Sequence, residues 1–156
     1  MNPPERTLIL GLGNDLLRDD AIGLRIARKL ENSPDLPPNT TVSATAEMGL
    51  SLLDLIAGFD RVVFVDSIQT HRAPPGRIHF VREQELASLP LAAPHFLGIG
   101  EVLAFARTLG MKVAENVRVI AIEVEDPYTV CSDLSPELEV LLPSLVDRVR
   151  EMAFEN

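Results

Sequence analysis

Short apolar runs alternate along the chain with segments of helical period, a pattern typical of an α/β protein. Residues 7–13 form an apolar run that ends in glycines, and residues 61–66 form a more uniform run that ends in a carboxylate. A further run covers residues 117–124, whereas residues 40–46 and 77–82 alternate as half-exposed strands do. The pattern predicts a strand at each of these segments.

Helical segments lie between these strands. The apolar inner faces predicted for three of them consist of Ile22, Ile26 and Leu30; Ile99, Val102, Leu103, Ala106 and Leu109; and Leu138, Leu142, Leu145 and Val149. Residues 48–57 are helical by composition. Gly110 is predicted to end the third helix, and Ser135 is predicted to cap the last one. Pro143 lies inside that last helix and is expected to kink it.

Strands separated by helical segments, with no internal repeat and no Gly/Ser-rich linker, predict one α/β domain over residues 1–156. We expect a mostly parallel, twisted sheet with helices on both faces, which makes a three-layer sandwich. In such sheets ligands bind at the carboxyl ends of the strands, where the strand order reverses. The candidate functional side chains are therefore those that end or follow the strands.

Composition excludes several classes of protein. The 156 residues are 46% hydrophobic and 24% charged, which are values of a globular domain. With 23 acidic against 14 basic side chains the net charge is −9, which disfavours nucleic acid or a membrane surface as partner. No segment is long and apolar enough for a signal peptide or a membrane span. The single cysteine, Cys131, precludes an internal disulfide and favours a reducing, cytoplasmic location.

The first strand leads into residues 11–16, which begin like a dinucleotide-binding fingerprint. Leu16 stands where the third glycine would be, and Asp15, Asp19 and Asp20 would repel a pyrophosphate. The glycines are expected to let a substrate approach the backbone closely. Either Asp19 or Asp20 is a candidate metal ligand or an N-cap, and two adjacent acids allow one to cap while the other faces the site.

Three further candidates follow later strands. Asp66 either closes a strand with a local turn or belongs to a site, and Glu123 is either a fourth acid or a structural partner. His95 lies in a proline-bounded loop and is either exposed or a ligand. One imidazole and two carboxylates at one sheet edge are typical of an open site for nickel or zinc. Cys131 has no histidine nearby in sequence and is interpreted as a filler residue.

These residues resemble the hydrogenase maturation endopeptidases, which process the large subunit of nickel-iron hydrogenases. The resemblance is carried, in order along nearly the whole chain, by residues 8–14, Leu17, Asp19, Asp20, Gly23, Val65, Asp66, Pro94, His95, Leu97, Gly98, Ile122, Glu123, Leu134, Ser135 and Pro136. It implies an α/β sandwich and a peptidase of the aspartic type. Such a peptidase removes a short C-terminal extension from the large-subunit precursor after nickel has been inserted.

The resemblance also implies a site. The family's three metal-contacting and catalytic positions fall on Asp20, Asp66 and His95, and the metal is the nickel carried by the precursor, with zinc or cadmium as surrogates. Position 20 is often Glu in the family, so Asp20→Glu is expected to be tolerated. Residues 45–49 depart from the family's Gly-Thr or Gly-Ser pattern. Residues 124–128 are a candidate docking segment for the precursor.

Two alternatives use the same residues differently. One is a nickel-dependent chaperone or docking module for the large subunit that does not cleave it. The other is a nucleotide-binding domain built on the first loop, against which the acids of that loop argue.

Overall fold

The computed structural model describes residues 2–88 and 98–156, except the side chains of residues 87 and 88. A five-stranded sheet forms the centre of this part of the chain. Its strands, in spatial order β2-β1-β3-β5-β4, are β1 Thr7–Leu12, β2 Thr40–Thr45, β3 Arg61–Ile68, β4 Ile78–Arg82 and β5 Asn116–Glu123. All neighbours are parallel except β4, an edge strand that runs antiparallel to β5. This confirms the predicted mostly parallel sheet.

Four α-helices in the described part of the chain cover the sheet. They are α1 Ile22–Glu31, α2 Leu52–Ile56, α3 Ile99–Thr108 and α4 Pro136–Phe154. The described residues also form short 3-10 helices at Asp19–Ala21, Gly49–Ser51 and Glu83–Ser88. None of these helices has the length and apolar character needed to cross a membrane.

The apolar core lies on both faces of the sheet, as three layers require. Alternate residues of β3 contribute to its two halves: Phe64 packs on the α2–α3 side, whereas Val63 and Val65 pack on the α1–α4 side. The predicted inner face of α4 is buried in the second half, together with Met152 and Ala153. The three-layer sandwich is therefore confirmed.

Several local predictions need correction. β3 does not end at Asp66 but continues to Ile68, so this carboxylate lies inside the strand. Leu109 is 59% exposed because α3 has already ended there. Ser135 occupies the N-cap position of α4, but its side chain makes no capping hydrogen bond. α4 is assigned as one helix with Pro143 inside it, and the kink expected there stays a prediction.

Two glycines allow α1 to lie directly on the sheet. A Cβ on Gly23 would meet the carbonyl oxygen of Val65 at 2.3 Å and that of Leu12 at 2.5 Å. A Cβ on Gly11 would meet the carbonyl oxygen of Gly23 at 2.3 Å. The space left by Gly11 is thus filled by α1 and not open to a substrate, contrary to the expectation for this loop. The glycines bring the start of α1 to the ends of β1 and β3.

Two arginines at the opposite edge hold the end of α4. Arg61 donates to the carbonyl oxygen of Ala153 at 3.1 Å, and Arg118 donates to those of Met152 at 3.4 Å and Glu155. These carbonyl oxygens lie at the C-terminal end of α4, where the last carbonyl groups of a helix have no N–H partner within the helix. Burial, and then the neighbouring positive charge of Arg61, lowers the pKa of Arg118 from its ordinary value. The arginines therefore satisfy the helix end from within the sheet.

Candidate active site

The strand order reverses between β1 and β3, because the chain passes from β1 to β2 on one side and returns to β3 on the other. In sheets of this kind the crevice at the carboxyl ends of those two strands is where ligands bind. Asp20 lies in the turn that joins β1 to α1, and Asp66 lies near the end of β3. The structure therefore places both predicted carboxylates at the reversal point, as the strand pattern predicts.

Ser67 contacts both of these carboxylates. Its backbone N–H donates to Oδ1 of Asp66 at 2.7 Å, and its hydroxyl donates to Oδ1 of Asp20 at 3.0 Å. All three residues are buried, with Asp66 fully shielded and Asp20 only 4% exposed. Ser67 was not among the predicted site residues, although its position directly after a carboxylate in a buried strand could have indicated it. The serine links two acids that are far apart in sequence.

The neighbouring acid, Asp19, has a structural role. Its Oδ1 accepts the N–H of Ser135 at 2.8 Å, and its Oδ2 accepts the N–H of Asp126 at 3.0 Å. Its own N–H donates to the carbonyl of Asp126 at 2.9 Å. No side-chain capping hydrogen bond is made at the start of α1, so the predicted N-cap role is wrong for Asp19, and the role of Asp20 in a site stays a prediction. Asp19 fastens the start of α4 and the loop after β5, while Asp20 faces Ser67.

The loop before these acids is held on both sides. A Cβ on Gly13 would lie 2.2 Å from the carbonyl oxygen of Asp20, so only glycine lets the chain pass here. Asp15 forms a two-pronged ion pair with Arg28 of α1, with both N···O distances at 2.7 Å. The hydrogen bond from Arg28 lowers the pKa of Asp15. Asp15 thus fastens the loop to α1 through both of its carboxylate oxygens.

The same loop pairs with the loop that follows β5. Leu17 forms an isolated antiparallel bridge with Val130, and the N–H of Cys131 donates to the carbonyl of Leu16 at 3.0 Å. The guanidinium of Arg18 contacts the sulfur of Cys131 at 3.4 Å. Within the described residues Cys131 therefore serves to join two loops.

Glu123 is the fourth buried acid at this edge, and its partners are structural. It accepts the N–H of Thr70 at 2.7 Å and the Thr70 hydroxyl, and it contacts Nε2 of His79 at 3.1 Å. Burial raises the pKa of Glu123, but the hydrogen bonds from Thr70 and His79 outweigh it and lower the pKa overall. Of the two roles left open for Glu123, the structural one is observed, and it fastens the loop after β3 to β5.

Most of the chain matches a known protein family. Residues 24–152 match the model of a family described as "Hydrogenase maturation protease". This chain belongs to the hydrogenase maturation protease family. The resemblance found in the sequence is thereby confirmed.

Individual members of the hydrogenase maturation protease family agree with this in sequence and fold. The hydrogenase 2 maturation protease of Escherichia coli K12 is 31% identical over 154 residues, which cover 96% of this chain and 94% of the relative. The solved E. coli hydrogenase maturating endopeptidase HybD is similar with a TM-score of 0.76 and 29% identity, over 94% of this chain and 93% of that one. The nickel-iron hydrogenase maturation protease HybD of Thermococcus kodakarensis is similar with a TM-score of 0.73 and 26% identity, over 95% of this chain and 99% of that one.

The structure of this hydrogenase maturation protease describes two of the three predicted metal-contacting residues, Asp20 and Asp66. His95 lies in the segment 89–97, outside the described residues, so its place in the site stays a prediction. Within residues 2–88 and 98–156, no three His, Cys, Asp or Glu side chains cluster closely enough to hold a metal. Of the other two histidines, His71 is exposed and His79 contacts Glu123.

Proposed function

We propose that this hydrogenase maturation protease removes the C-terminal extension from the large-subunit precursor of a nickel-iron hydrogenase once nickel has been inserted. Asp20, Asp66 and His95 engage the nickel that the precursor carries, so cleavage reports completed insertion. The observation that supports this is the pair of buried carboxylates joined through Ser67 at the reversal point of the sheet. Buried carboxylates interact with a cation more strongly than exposed ones do.

The chemistry that we propose is hydrolysis of the aspartic type, with Asp20 and Asp66 as the acid and base. Water adds to the scissile carbonyl, the C–N bond breaks, and a proton passes to the leaving amine. An attack by the carboxylate itself, followed by hydrolysis, fits the same residues. Among the described residues neither Ser67 nor Cys131 has a histidine partner, since the serine hydroxyl donates to Asp20 and the thiol contacts Arg18.

The precursor, on our proposal, docks on the candidate segment 124–128 and on the residues that follow it to position 131, which together form the docking loop. Tyr128 and Val130 lie two residues apart on this loop and are 74% and 81% exposed. The loop is shaped by Asp126, which accepts the N–H of Tyr128 at 3.1 Å, and by Asp19, which holds Asp126. Large apolar side chains exposed on a fastened loop beside a site are suited to a protein substrate.

The remaining expectations belong to the same proposal. The net charge of −9 and the single thiol favour a cytoplasmic protein whose partner is neither nucleic acid nor membrane. Nickel acts here as part of the substrate, and zinc or cadmium serves as a surrogate in binding experiments.

The test is the intact mass of the cognate large-subunit precursor, nickel-loaded and nickel-free, after incubation with the purified protein. Loss of a C-terminal peptide from the loaded form alone is the expected result. Equal cleavage of both forms would refute the nickel checkpoint. Nickel-dependent complex formation without any change of mass would refute hydrolysis and favour the chaperone. An Asp66→Asn variant, which keeps the size of the buried side chain, is the matched control and should leave the precursor uncleaved.

A further inference from the structure

Ser67 stands between two carboxylates that reach the sheet edge from opposite faces. Side chains alternate along β3, so Asp66 follows Phe64 toward the α2–α3 face, whereas Ser67 follows Val65 toward the α1–α4 face. On that second face its hydroxyl meets Asp20 at 3.0 Å. Its backbone N–H meets Asp66 at 2.7 Å.

We propose that Ser67 is a positioning residue that sets the two carboxylates for metal contact, an inference that rests on the proposed function. The hydroxyl carries a single proton, and the geometry directs it to Oδ1 of Asp20. This hydrogen bond holds the side chain of Asp20 in one orientation. The backbone N–H orients Asp66 independently of the serine side chain.

The two contacts can be separated by substitution. A change at position 67 removes the hydroxyl contact to Asp20 but leaves the N–H contact to Asp66. Because Ser67 is 5% exposed, a change of shape alone could disturb packing. Ser67→Thr and Ser67→Val solve this problem, since they have the same shape and differ only in the hydroxyl. Ser67→Ala serves as a second variant that adds no bulk.

The experiment is calorimetric titration of the full chain with Ni²⁺ alone. Removal of a hydrogen-bond partner behind a metal ligand typically weakens metal binding about 10–100-fold. We therefore expect Ser67→Val and Ser67→Ala to weaken Ni²⁺ binding to this extent and Ser67→Thr to retain it. In the background of Asp20→Asn, Ser67→Val should cause no further loss, because the serine acts through Asp20. Ser43→Ala, at a half-buried serine of β2, should leave binding unchanged.

The outcomes separate this inference from the function on which it rests. If Asp20→Asn weakens Ni²⁺ binding while Ser67→Val and Ser67→Ala bind as the wild type does, the role of Ser67 is overturned and the metal site stands. Equal losses in Ser67→Thr and Ser67→Val would also overturn it, since packing and not the hydroxyl would then be responsible. No Ni²⁺ binding by the wild type, or undiminished binding by Asp20→Asn, would overturn the proposed metal site itself.

Discussion

Replacement of Gly23 by alanine tests whether the close approach of α1 to the sheet builds the site. The new Cβ would lie 2.3 Å from the carbonyl oxygen of Val65 and 2.5 Å from that of Leu12, whereas an ordinary contact begins at 3.4 Å. Both obstacles are backbone atoms of central strands, which cannot move aside as a side chain would. The start of α1 must therefore shift outward by about 1.1 Å.

The magnitude follows from two opposing effects. Overpacking of this kind typically costs about 1–3 kcal/mol, and the absence of any flexible neighbour places Gly23→Ala at the upper end. Alanine in a helix recovers about 0.5–1 kcal/mol of that. We expect a net loss of about 2 kcal/mol in the free energy of unfolding, or a fall of about 4–8 °C in Tm. A shift of about 1 Å also separates Asp20 from Ser67, which should slow precursor processing about 100-fold.

Gly100→Ala is the matched control, because Gly100 is the second residue of α3 as Gly23 is of α1. No described atom lies within 4 Å of a Cβ at that position. This variant should gain about 0.5–1 kcal/mol and process the precursor normally. Urea unfolding followed by circular dichroism measures the stabilities, and intact mass measures processing. Equal stability of the two variants, with normal processing by Gly23→Ala, would refute the packing argument.

Three further predictions address the site, the buried acid and the docking loop. Asp66→Ala and His95→Ala should each abolish processing without loss of the folded state; normal processing by both would contradict the assignment. Glu123→Gln should lower the free energy of unfolding at pH 7 by about 1–3 kcal/mol, because the hydrogen bonds to the charged side chain are weakened. Since the folded-state pKa of Glu123 lies below its ordinary 4.5, this stabilisation is complete above pH 4.5 and is lost as the pH falls through the folded-state pKa. A difference in urea unfolding that persists unchanged at pH 3 would argue against that account. Val130→Asp should raise the KM for the precursor, whereas Val140→Asp, at an equally exposed valine of α4, should not; equal effects would exclude the docking loop.

The strands and long helices could be predicted from the sequence because the pattern of apolar residues that indicates each of them is local. The apolar runs that became β1, β3 and β5 are buried along their length, and only Asn116 of β5 lies partly exposed. The spacing of apolar residues in α1, α3 and α4 likewise reports burial on one side. Leu109 was assigned wrongly to such a face, because periodicity alone does not show where a helix ends.

The site was predictable only to the level of the sheet edge. Strand ends place Asp20 and Asp66 there, but nothing local distinguishes Asp19, which fastens two distant segments, from Asp20, which faces Ser67. The role of Ser67 depends on a contact between residues that are 47 positions apart. The glycine at position 11 was expected to admit a substrate, and only the packed structure shows that α1 fills that space. Such contacts join residues that are distant in sequence, and no periodic pattern of residues predicts them.

The anchoring of α4 by Arg61 and Arg118 has a consequence for biosynthesis. β3 and β5 are translated before α4, so both guanidinium groups and the α4 half of the α1–α4 face stay uncovered until this helix is made. A nascent chain that has emerged only through β5 exposes the apolar residues that α4 later covers. Such surfaces on incomplete chains bind chaperones and aggregate readily. Packing of the α1–α4 face is therefore complete only after α4 has emerged from the ribosome.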